Sequence, residues 1–177
     1  MSNEKHIKTP ITDEIIKTLK VKDIVYITGT IYTARDAAHK KLAELINNNE
    51  QLPFDFNGQA VYYAGPTPAK PNQPIGSVGP TTSGRMDAYS PLLISNGLKI
   101  MIGKGFRSND VIDSIKKYNG VYLATIGGAA ALIAKSVKKV EVIAFSYLET
   151  EAIRKLEVVD FPCVVAIDCC GNNIYEN

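Results

Sequence analysis

The segment best suited to chemistry is Gly79-Pro-Thr-Thr-Ser-Gly-Arg-Met-Asp87, which ends a loop rich in glycine and proline. We call it the hydroxyl-rich motif. Its hydroxyls and backbone N–H groups precede an expected helix start, and such groups bind anions. Arg85 adds a planar guanidinium that can hold a carboxylate through two parallel hydrogen bonds. On these residues alone, an ordinary capped helix after a surface loop is an equal alternative, because Thr-Thr-Ser-Gly also caps helices for stability.

Two further basic residues lie where α/β folds place ligand contacts. Lys104 stands within Gly103-Lys-Gly105, directly after an apolar run, so the backbone can approach a ligand closely. The segment lacks the second glycine and the Ser or Thr of a phosphate-binding loop, which disfavours a nucleotide. Arg35 falls at an expected helix start beside Asp36. On local grounds alone, a structural salt bridge is the favoured interpretation of Arg35.

The chain contains two histidines and three cysteines, which limits the metal sites it can form. His39 lies one helical turn after Arg35, and a role in packing or on the helix surface is favoured; two histidines cannot build a histidine-based cluster. An iron–sulfur cluster needs several converging thiolates. In an extended chain, Cys163 and Cys169 would share one face and Cys170 would point away. We therefore expect these cysteines to pack rather than to bind a cluster.

Composition excludes several classes of protein. A hydrophobic fraction of 45% with 21% charged residues is typical of an ordinary globular chain. The net charge of +2 and the absence of long basic runs disfavour nucleic-acid and membrane-surface binding. No apolar stretch has the length of a signal peptide or a bilayer span, and three cysteines do not form a secreted disulfide framework. We expect one domain, residues 1–177, in the cytoplasm.

Short apolar runs alternate with amphipathic helical stretches, which predicts an α/β fold. The apolar runs predict strands at residues 23–30, 61–64, 98–102, 121–124, 140–145, 156–159 and 163–167. Helix starts are predicted where a capping residue precedes an amphipathic stretch, at Thr9 with Pro10, at Thr33 and at Ser108. One more helix should end at Asn96-Gly97 and another should open at Gly127-Gly128. Residues 65–84 should form a functional loop without regular structure.

Several segments occur together in an order that matches a known family. They are Thr33-Ala-Arg-Asp-Ala-Ala-His39, Tyr63-Ala-Gly-Pro-Thr-Pro68, the hydroxyl-rich motif, Gly103-Lys-Gly105 and Gly127-Gly-Ala-Ala-Ala-Leu132. The chain resembles the beta subunit of class I fumarate hydratase, which is equivalent to the C-terminal domain of the single-chain enzymes. The beta subunit of L-tartrate dehydratase is similar throughout. The resemblance covers nearly the whole chain, and the hydroxyl-rich motif is its most specific part.

The resemblance implies a swivelling β/β/α domain with a central mixed sheet flanked by helices. It also implies a hetero-oligomer with an alpha subunit, whose own cysteines hold a 4Fe–4S cluster, and an active site at the junction of the two subunits. The substrate would be a C4 dicarboxylate. Carried over by position, Arg35, Arg85 and Lys104 match the substrate-binding cations. Thr81 matches the proposed catalytic base, with Lys104 beside it as the second catalytic residue, and the cysteines match no cluster ligand.

These residue types suit a reversible hydration. Removal of a proton alpha to a carboxylate builds negative charge, which fixed guanidinium and ammonium groups stabilise. The open iron of the partner's cluster would act as a Lewis acid on the departing hydroxyl. A threonine hydroxyl is neutral near pH 7, so Thr81 could serve as base only if Lys104 and Arg85 stabilise its alkoxide. Fumarate hydratase, another dicarboxylate hydratase such as tartrate dehydratase, and a non-catalytic assembly domain stay open as alternatives; the joint presence of Thr81, Arg85 and Lys104 disfavours the last.

Overall fold

The computed structural model describes residues 3–126 and 128–176, which form seven strands and five α-helices. The strands are β1 (Glu4–Lys8), β2 (Ile24–Thr33), β3 (Ala60–Tyr62), β4 (Ile100–Gly103), β5 (Val121–Thr125), β6 (Val137–Ala144) and β7 (Ile153–Ile167). The α-helices are α1 (Asp13–Ile16), α2 (Asp36–Asn47), α3 (Ser90–Ser95), α4 (Asn109–Tyr118) and α5 (Ala130–Ser136). Two 3₁₀ helices cover Ser83–Met86 and Ser146–Glu151.

The sheet closes on itself, because β2 pairs with β3 along one edge and with β7 along the other. Strands β2, β3, β4 and β5 pair in parallel in that order, and β7 joins β5 back to β2 through antiparallel pairing. The outer strands β1 and β6 extend this five-stranded barrel beside β2 and β7. The predicted α/β class is confirmed, and the predicted central mixed sheet is a closed mixed barrel.

The last strand, β7, is longer than the sequence predicts. The sequence predicts two separate strands at residues 156–159 and 163–167. They belong to one strand of 15 residues. Asp160 adopts a φ of 54°, and the pairing register shifts between Ile27 and Gly29 on the facing strand. Irregularities of this kind bend and twist a strand, so β7 can pair with β6 in its first half and with β5 in its second.

Side chains alternate between the barrel interior and the helices, as strand geometry requires. On β4, Ile100 and Ile102 join the interior cluster, whereas Met101 joins the cluster beneath the helices, and all three are fully buried. Helices α2 and α3 add Leu42 and Leu93 to the outer cluster. Packing on both faces therefore fixes the carboxyl ends of β2, β3 and β4, where the predicted site residues follow.

Several local predictions are confirmed. Ser108 caps α4, since its Oγ accepts a hydrogen bond from the Val111 N–H over 3.4 Å, and Asn119 ends the helix in the left-handed conformation. Helix α3 ends at the predicted Asn96-Gly97, and residues 65–81 are irregular. Helix α5 begins two residues beyond Gly128, and Gly127 lies outside the described residues. Among the helices of the described ranges, none is long and apolar enough to cross a membrane.

Two predicted helix caps are wrong, because tertiary contacts use both side chains. Thr33 is the last residue of β2, and its Oγ1 accepts a hydrogen bond from the Arg154 N–H over 3.3 Å. The Thr9 hydroxyl donates to Thr30 O over 2.6 Å. Helix α1 begins later than predicted, where Thr12 supplies the capping oxygen.

Candidate active site

The hydroxyl-rich motif lies across the carboxyl ends of β3 and β4. The Thr81 N–H donates to Tyr63 O over 2.6 Å, and the Ser83 N–H donates to Lys104 O over 2.9 Å. Thr82 and Lys104 form an isolated parallel β-bridge. The motif therefore pairs with the residues that directly follow each strand, and it brings Thr81 beside the loop that carries Lys104.

Two glycines permit this close packing. A Cβ on Gly103 would overlap the Ser83 Oγ and lie 2.8 Å from Tyr63 Cδ2, so any side chain there would push the motif away from β4. A Cβ on Gly65 would lie 3.1 Å from Arg35 Cδ and 3.3 Å from its Nη1. Gly103 and Gly65 thus lie where a side chain of the site or of the motif packs directly against the backbone of a neighbouring segment.

Arg85 reaches from the motif to the start of α2. Its Nε and Nη2 each lie 2.8 Å from Asp36 Oδ2. Asp36 is the first residue of α2 and follows Arg35, so this ion pair brings both predicted arginines to the same edge of the barrel. The Arg85 side chain is 54% exposed, and an exposed pair of this kind adds little stability. What the ion pair does is hold the Arg85 guanidinium beside the start of α2.

Arg35 precedes α2 and forms a long ion pair, as local grounds predict, but with Glu151 rather than with the adjacent Asp36. The Arg35 Nε lies 4.0 Å from Glu151 Oε1, which is too long for a hydrogen bond, and it is buried without a hydrogen-bond partner in the described part of the chain. Glu151 Oε1 instead accepts from the Ala37 N–H over 3.3 Å. Asp36 pairs with Arg85 instead, and Arg35 lies beside Glu151. The Arg35 side chain is 26% exposed, and its terminal nitrogens donate no hydrogen bond within the described residues, so these nitrogens are the ones that a ligand could use.

The predicted site residues therefore gather at one end of the barrel. Arg35 follows β2, Lys104 follows β4, and the motif with Thr81 and Arg85 crosses between them. Lys104 is exposed and Thr81 is partly buried. Because β2, β3 and β4 are parallel neighbours, their carboxyl ends form one edge, which is where α/β proteins bind ligands. Two guanidinium groups and one ammonium there suit a small molecule with two carboxylates.

A separate cavity of about 440 Å³ lies between the proline-rich loop and β7, and Thr81, Arg35, Arg85 and Lys104 are not among the residues that line it. Its one guanidinium, that of Arg154, already donates to the backbone oxygens of Glu149, Thr150 and Ala152 over 3.0–3.2 Å. We assign the chemistry to the open edge rather than to this cavity, because the free donors lie at the edge.

Comparison with known proteins places the chain in a family. Residues 2–177 match the family described as the fumarase C-terminus. The chain belongs to this family. It is 47% identical over 152 residues to the anaerobic class I fumarate hydratase of Escherichia coli (strain K12), which covers 85% of the chain and 28% of that protein. It is 46% identical over 154 residues to fumarate hydratase 2 of Leishmania major, covering 86% of the chain and 27% of that protein.

One relative has nearly the same length. The chain is 44% identical over 172 residues to a putative L(+)-tartrate dehydratase subunit beta of Methanocaldococcus jannaschii, covering 94% of the chain and 88% of that protein. The chain thus spans only 28% of the E. coli fumarate hydratase but most of this beta subunit. Within the fumarase C-terminus family it corresponds to a part of the single-chain proteins and to nearly all of a separate subunit.

Beneath the motif lies a buried residue that the sequence did not single out. The Arg107 side chain is 0% exposed, and its Nε lies 2.7 Å from Asp87 Oδ1. Its Nη2 donates to Ser90 Oγ over 2.8 Å and to the Tyr63 hydroxyl over 3.2 Å. Asp87 Oδ2 also accepts from the Ser108 N–H over 2.6 Å. No spacing rule in the sequence points to position 107, and the pairing with Asp87, whose side chain is 15% exposed, is visible only in the structure.

The cysteines do not fit an iron–sulfur cluster held by this chain. Cys163 is fully buried in the barrel interior, with its Sγ 3.5 Å from Val25 O. Burial raises the pKa of the Cys163 thiol well above its usual range, which opposes the thiolate that iron requires. Cys169 is buried and Cys170 is exposed, as strand alternation predicted, although both lie in the turn after β7 rather than in a strand.

His39 is a packing residue rather than a helix-surface residue. It is 0% exposed, its Nδ1 lies 2.8 Å from Arg35 O, and its ring meets the Tyr63 ring edge-on at 5.3 Å. Because a carbonyl only accepts, we assign the proton of the neutral ring to Nδ1. Burial is the main cause that lowers the pKa of His39 to about 4, and the charge of Arg107 lowers it further; the Arg35 carbonyl and Asp36 act in the opposite direction.

We expect this buried ring to make the protein sensitive to acid. The unfolded histidine binds a proton below a pKa of about 6.5, whereas the folded ring stays neutral down to about 4, so acid favours the unfolded state across this range. His39 should therefore remove roughly 3 kcal/mol of unfolding free energy between pH 7 and pH 4. Urea denaturation at both pH values, compared between the unsubstituted chain and His39→Asn, measures this loss.

The second histidine provides the matched control for this experiment. His6 is exposed, so His6→Asn should retain the full acid sensitivity of the unsubstituted chain. Equal pH dependence in the unsubstituted chain and in His39→Asn would show that the acid sensitivity arises elsewhere.

Proposed function

We propose that this chain is the beta subunit of an iron–sulfur-dependent hydro-lyase that interconverts fumarate and L-malate by reversible addition of water. One observation carries the proposal: the hydroxyl-rich motif, bonded to Lys104 O and to Asp36, gathers a hydroxyl, two guanidinium groups and an ammonium at one barrel edge. Family membership supports it, since relatives of 47% and 46% identity are named fumarate hydratases. The swivelling β/β/α description, which the resemblance implies, and a cytoplasmic location, which the composition predicts, are part of this proposal.

Arg35, Arg85 and Lys104 bind the two carboxylates of the substrate. Arg85 uses one edge of its guanidinium for Asp36, which leaves the other N–H groups for a carboxylate. The Arg35 side chain is 26% exposed, and its terminal nitrogens form no hydrogen bond within the described ranges, so it too has donors for a carboxylate. When a proton leaves the carbon alpha to a carboxylate, that carboxylate gains charge, and the fixed cations stabilise it.

Thr81 Oγ1 takes that proton. A neutral hydroxyl is a weak base, so the adjacent cations must favour its alkoxide form. The β-bridge between Thr82 and Lys104 holds Gly103-Lys-Gly105, which we call the lysine loop, beside Thr81. The Lys104 ammonium is therefore the cation that we propose to stabilise the alkoxide. The backbone bond from Thr81 to Tyr63 O fixes the position of the hydroxyl on the barrel.

The complete enzyme requires a partner. The 4Fe–4S cluster is proposed to belong to an alpha subunit, because the cysteines of this chain do not fit it. An alpha subunit would cover the open barrel edge and contribute the rest of the site, which gives a hetero-oligomer. The relative of 44% identity that is named as a putative L(+)-tartrate dehydratase subunit beta supports a division of the enzyme between two chains.

L-Tartrate dehydratase is the second candidate. The observation that favours it is the 44% identity, over 94% of the chain, to a relative that is named as a putative L(+)-tartrate dehydratase subunit beta. The three cations would recognise the carboxylates of tartrate as well as those of malate. The two candidates differ in the substrate hydroxyls, for which the described residues give no discriminating contact.

Coexpression with the alpha subunit of the same hydratase tests the proposal. We expect the purified complex to contain iron and to hydrate fumarate, and we expect the isolated chain to be folded, colourless and inactive. Assays on fumarate, L-malate and L-tartrate, normalised to iron content, distinguish the two candidates. A complex that contains iron but acts on none of the three would refute the hydro-lyase proposal, and an isolated chain that forms a stable active cluster would refute the division between subunits.

A further inference from the structure

The buried Arg107 contacts more of the surrounding structure than one ion pair requires. Besides its bonds to Asp87, Ser90 and Tyr63, its guanidinium carbon lies 5.2 Å from the centre of the Tyr63 ring and 4.8 Å from that of Tyr122. Nη1 lies 3.6 Å from the sulfur of Met101. The guanidinium thus fills the space between β3, β4, β5 and the end of the hydroxyl-rich motif.

Through its contacts, Arg107 is connected to the segments that carry Thr81, Arg85 and Lys104. Tyr63, whose hydroxyl accepts from Arg107, also accepts the Thr81 N–H at its backbone oxygen. Asp87, the ion-pair partner, follows Arg85 by two residues. A second route runs through Tyr122 to the lysine loop.

Tyr122 connects Arg107 to the two residues that adjoin Lys104, which are Ser83 in space and Gly105 in sequence. Its hydroxyl lies 2.8 Å from Ser83 Oγ and 2.9 Å from Gly105 O. Ser83 in turn donates its N–H to Lys104 O. Tyr122, whose ring lies on the Arg107 guanidinium, is therefore bonded both to the motif, at Ser83, and to the lysine loop, at Gly105.

Stability alone does not account for a buried cation at this position. Transfer of an ion pair into a protein interior costs free energy that the attraction between the charges only partly offsets, and well-packed apolar residues often serve equally well. A guanidinium differs from an apolar side chain because its five N–H groups point in fixed directions. It can therefore set the relative orientation of several segments at once.

We propose that Arg107 is a positioning residue, whose guanidinium fixes the hydroxyl-rich motif relative to the lysine loop so that Thr81, Arg85 and Lys104 face a common substrate. The effect of Arg107 on catalysis rests on the proposed function, whereas its effect on the relative position of the motif and the lysine loop does not. Two experiments separate them.

The first experiment uses the isolated chain and needs no activity. We expect Arg107→Lys, which keeps a cation beside Asp87, and Arg107→Met, which removes it, to accelerate hydrogen exchange at the Thr81, Ser83 and Ser108 amides by about tenfold or more. The amides of β2 should keep their rates. The matched control is Ile16→Val in α1, a fully buried position in the interior cluster rather than in the outer cluster that contains Tyr63 and Tyr122.

A general loss of stability, as in the control, accelerates exchange at β2 amides together with those of the motif. Uniform acceleration in Arg107→Lys, or unchanged rates at the three amides, would overturn the positioning role. Because Arg107→Met leaves Asp87 without its cation and can prevent folding, the lysine variant is the deciding one.

The second experiment uses the complex with the alpha subunit. Misplacement of a reacting group by about 1 Å costs about 100-fold in rate, so we expect kcat/KM per iron to fall by about that factor in Arg107→Met. Arg107→Lys should recover part of the loss, with about a tenfold reduction, because it restores the charge but not the fork. A purely structural role would lower the yield of complex and leave kcat per iron unchanged, which would overturn the proposal.

An unsubstituted complex without hydratase activity would instead refute the proposed function. In that case the exchange experiment still decides whether Arg107 fixes the two loops.

Discussion

Replacing Thr81 by valine should lower kcat of the assembled enzyme by about a thousandfold, with comparatively little change in KM. Valine keeps the shape of threonine and removes only the hydroxyl that we assign as the base. The backbone bond between the Thr81 N–H and Tyr63 O does not depend on the side chain, so the motif should keep its place. Steady-state kinetics of fumarate hydration, with iron content measured in each preparation, test this expectation.

Thr82→Val is the matched control for this substitution. Thr82 is exposed, and its contact with Lys104 is a backbone bridge that valine retains. The loss in kcat should therefore be much smaller than for Thr81→Val. If Thr81→Val retained most of its kcat, the assignment of the base would be wrong, although carboxylate binding by Arg85 would be unaffected.

Arg85→Lys should cost about 2–5 kcal/mol of transition-state stabilisation, which corresponds to a fall in kcat/KM of roughly 30- to 5,000-fold. The structure gives the reason. Arg85 holds Asp36 Oδ2 with two nitrogens and still presents further N–H groups, whereas the lysine ammonium is a single point charge. Lysine can serve Asp36 or the substrate but cannot hold both in a planar arrangement. KM should rise strongly and kcat should fall in part, as steady-state kinetics on the complex will measure.

Asp36→Asn provides the comparison for Arg85→Lys, because it weakens the ion pair and keeps the guanidinium. It should change kcat/KM less than Arg85→Lys does. The pair is partly exposed, so either substitution should alter the unfolding free energy by no more than about 1 kcal/mol. Loss of catalysis can therefore be separated from loss of folded protein. An unchanged KM in Arg85→Lys would remove Arg85 from the substrate site.

Sequence patterns predicted local structure wherever the local signal had no tertiary competitor. Ser108 caps α4 as predicted, because its hydroxyl lies at the start of a free helix turn. Thr33 carries the same capping signal, but its hydroxyl accepts a hydrogen bond from Arg154 on β7 and the strand continues through it. The difference depends on a contact between residues far apart in sequence, which no local rule contains.

The candidate site divides in the same way. The motif was found from its composition, and its contacts with Lys104 and Asp36 join segments that the resemblance had already put in one site. Closure of the sheet was not predictable, because antiparallel pairing between β2 and β7 leaves no mark in either strand. Arg107 was not predictable either, since its burial follows from the packing of Tyr63 and Tyr122 around it.

The pairing of β2 with β7, which closes the barrel, determines when the fold can be completed during translation. Thr28 on β2 and Asp160 on β7 are hydrogen-bonded across 132 positions of sequence. At a synthesis rate of about 5 to 20 residues per second, β2 emerges from the ribosome roughly 7 to 26 seconds before its partner, and during that time it exposes an unpaired edge. The nascent chain is therefore most vulnerable to mispairing with other chains before β7 is made. The arginine, threonine and lysine side chains at the barrel edge reach their final places only when this last strand has joined the sheet.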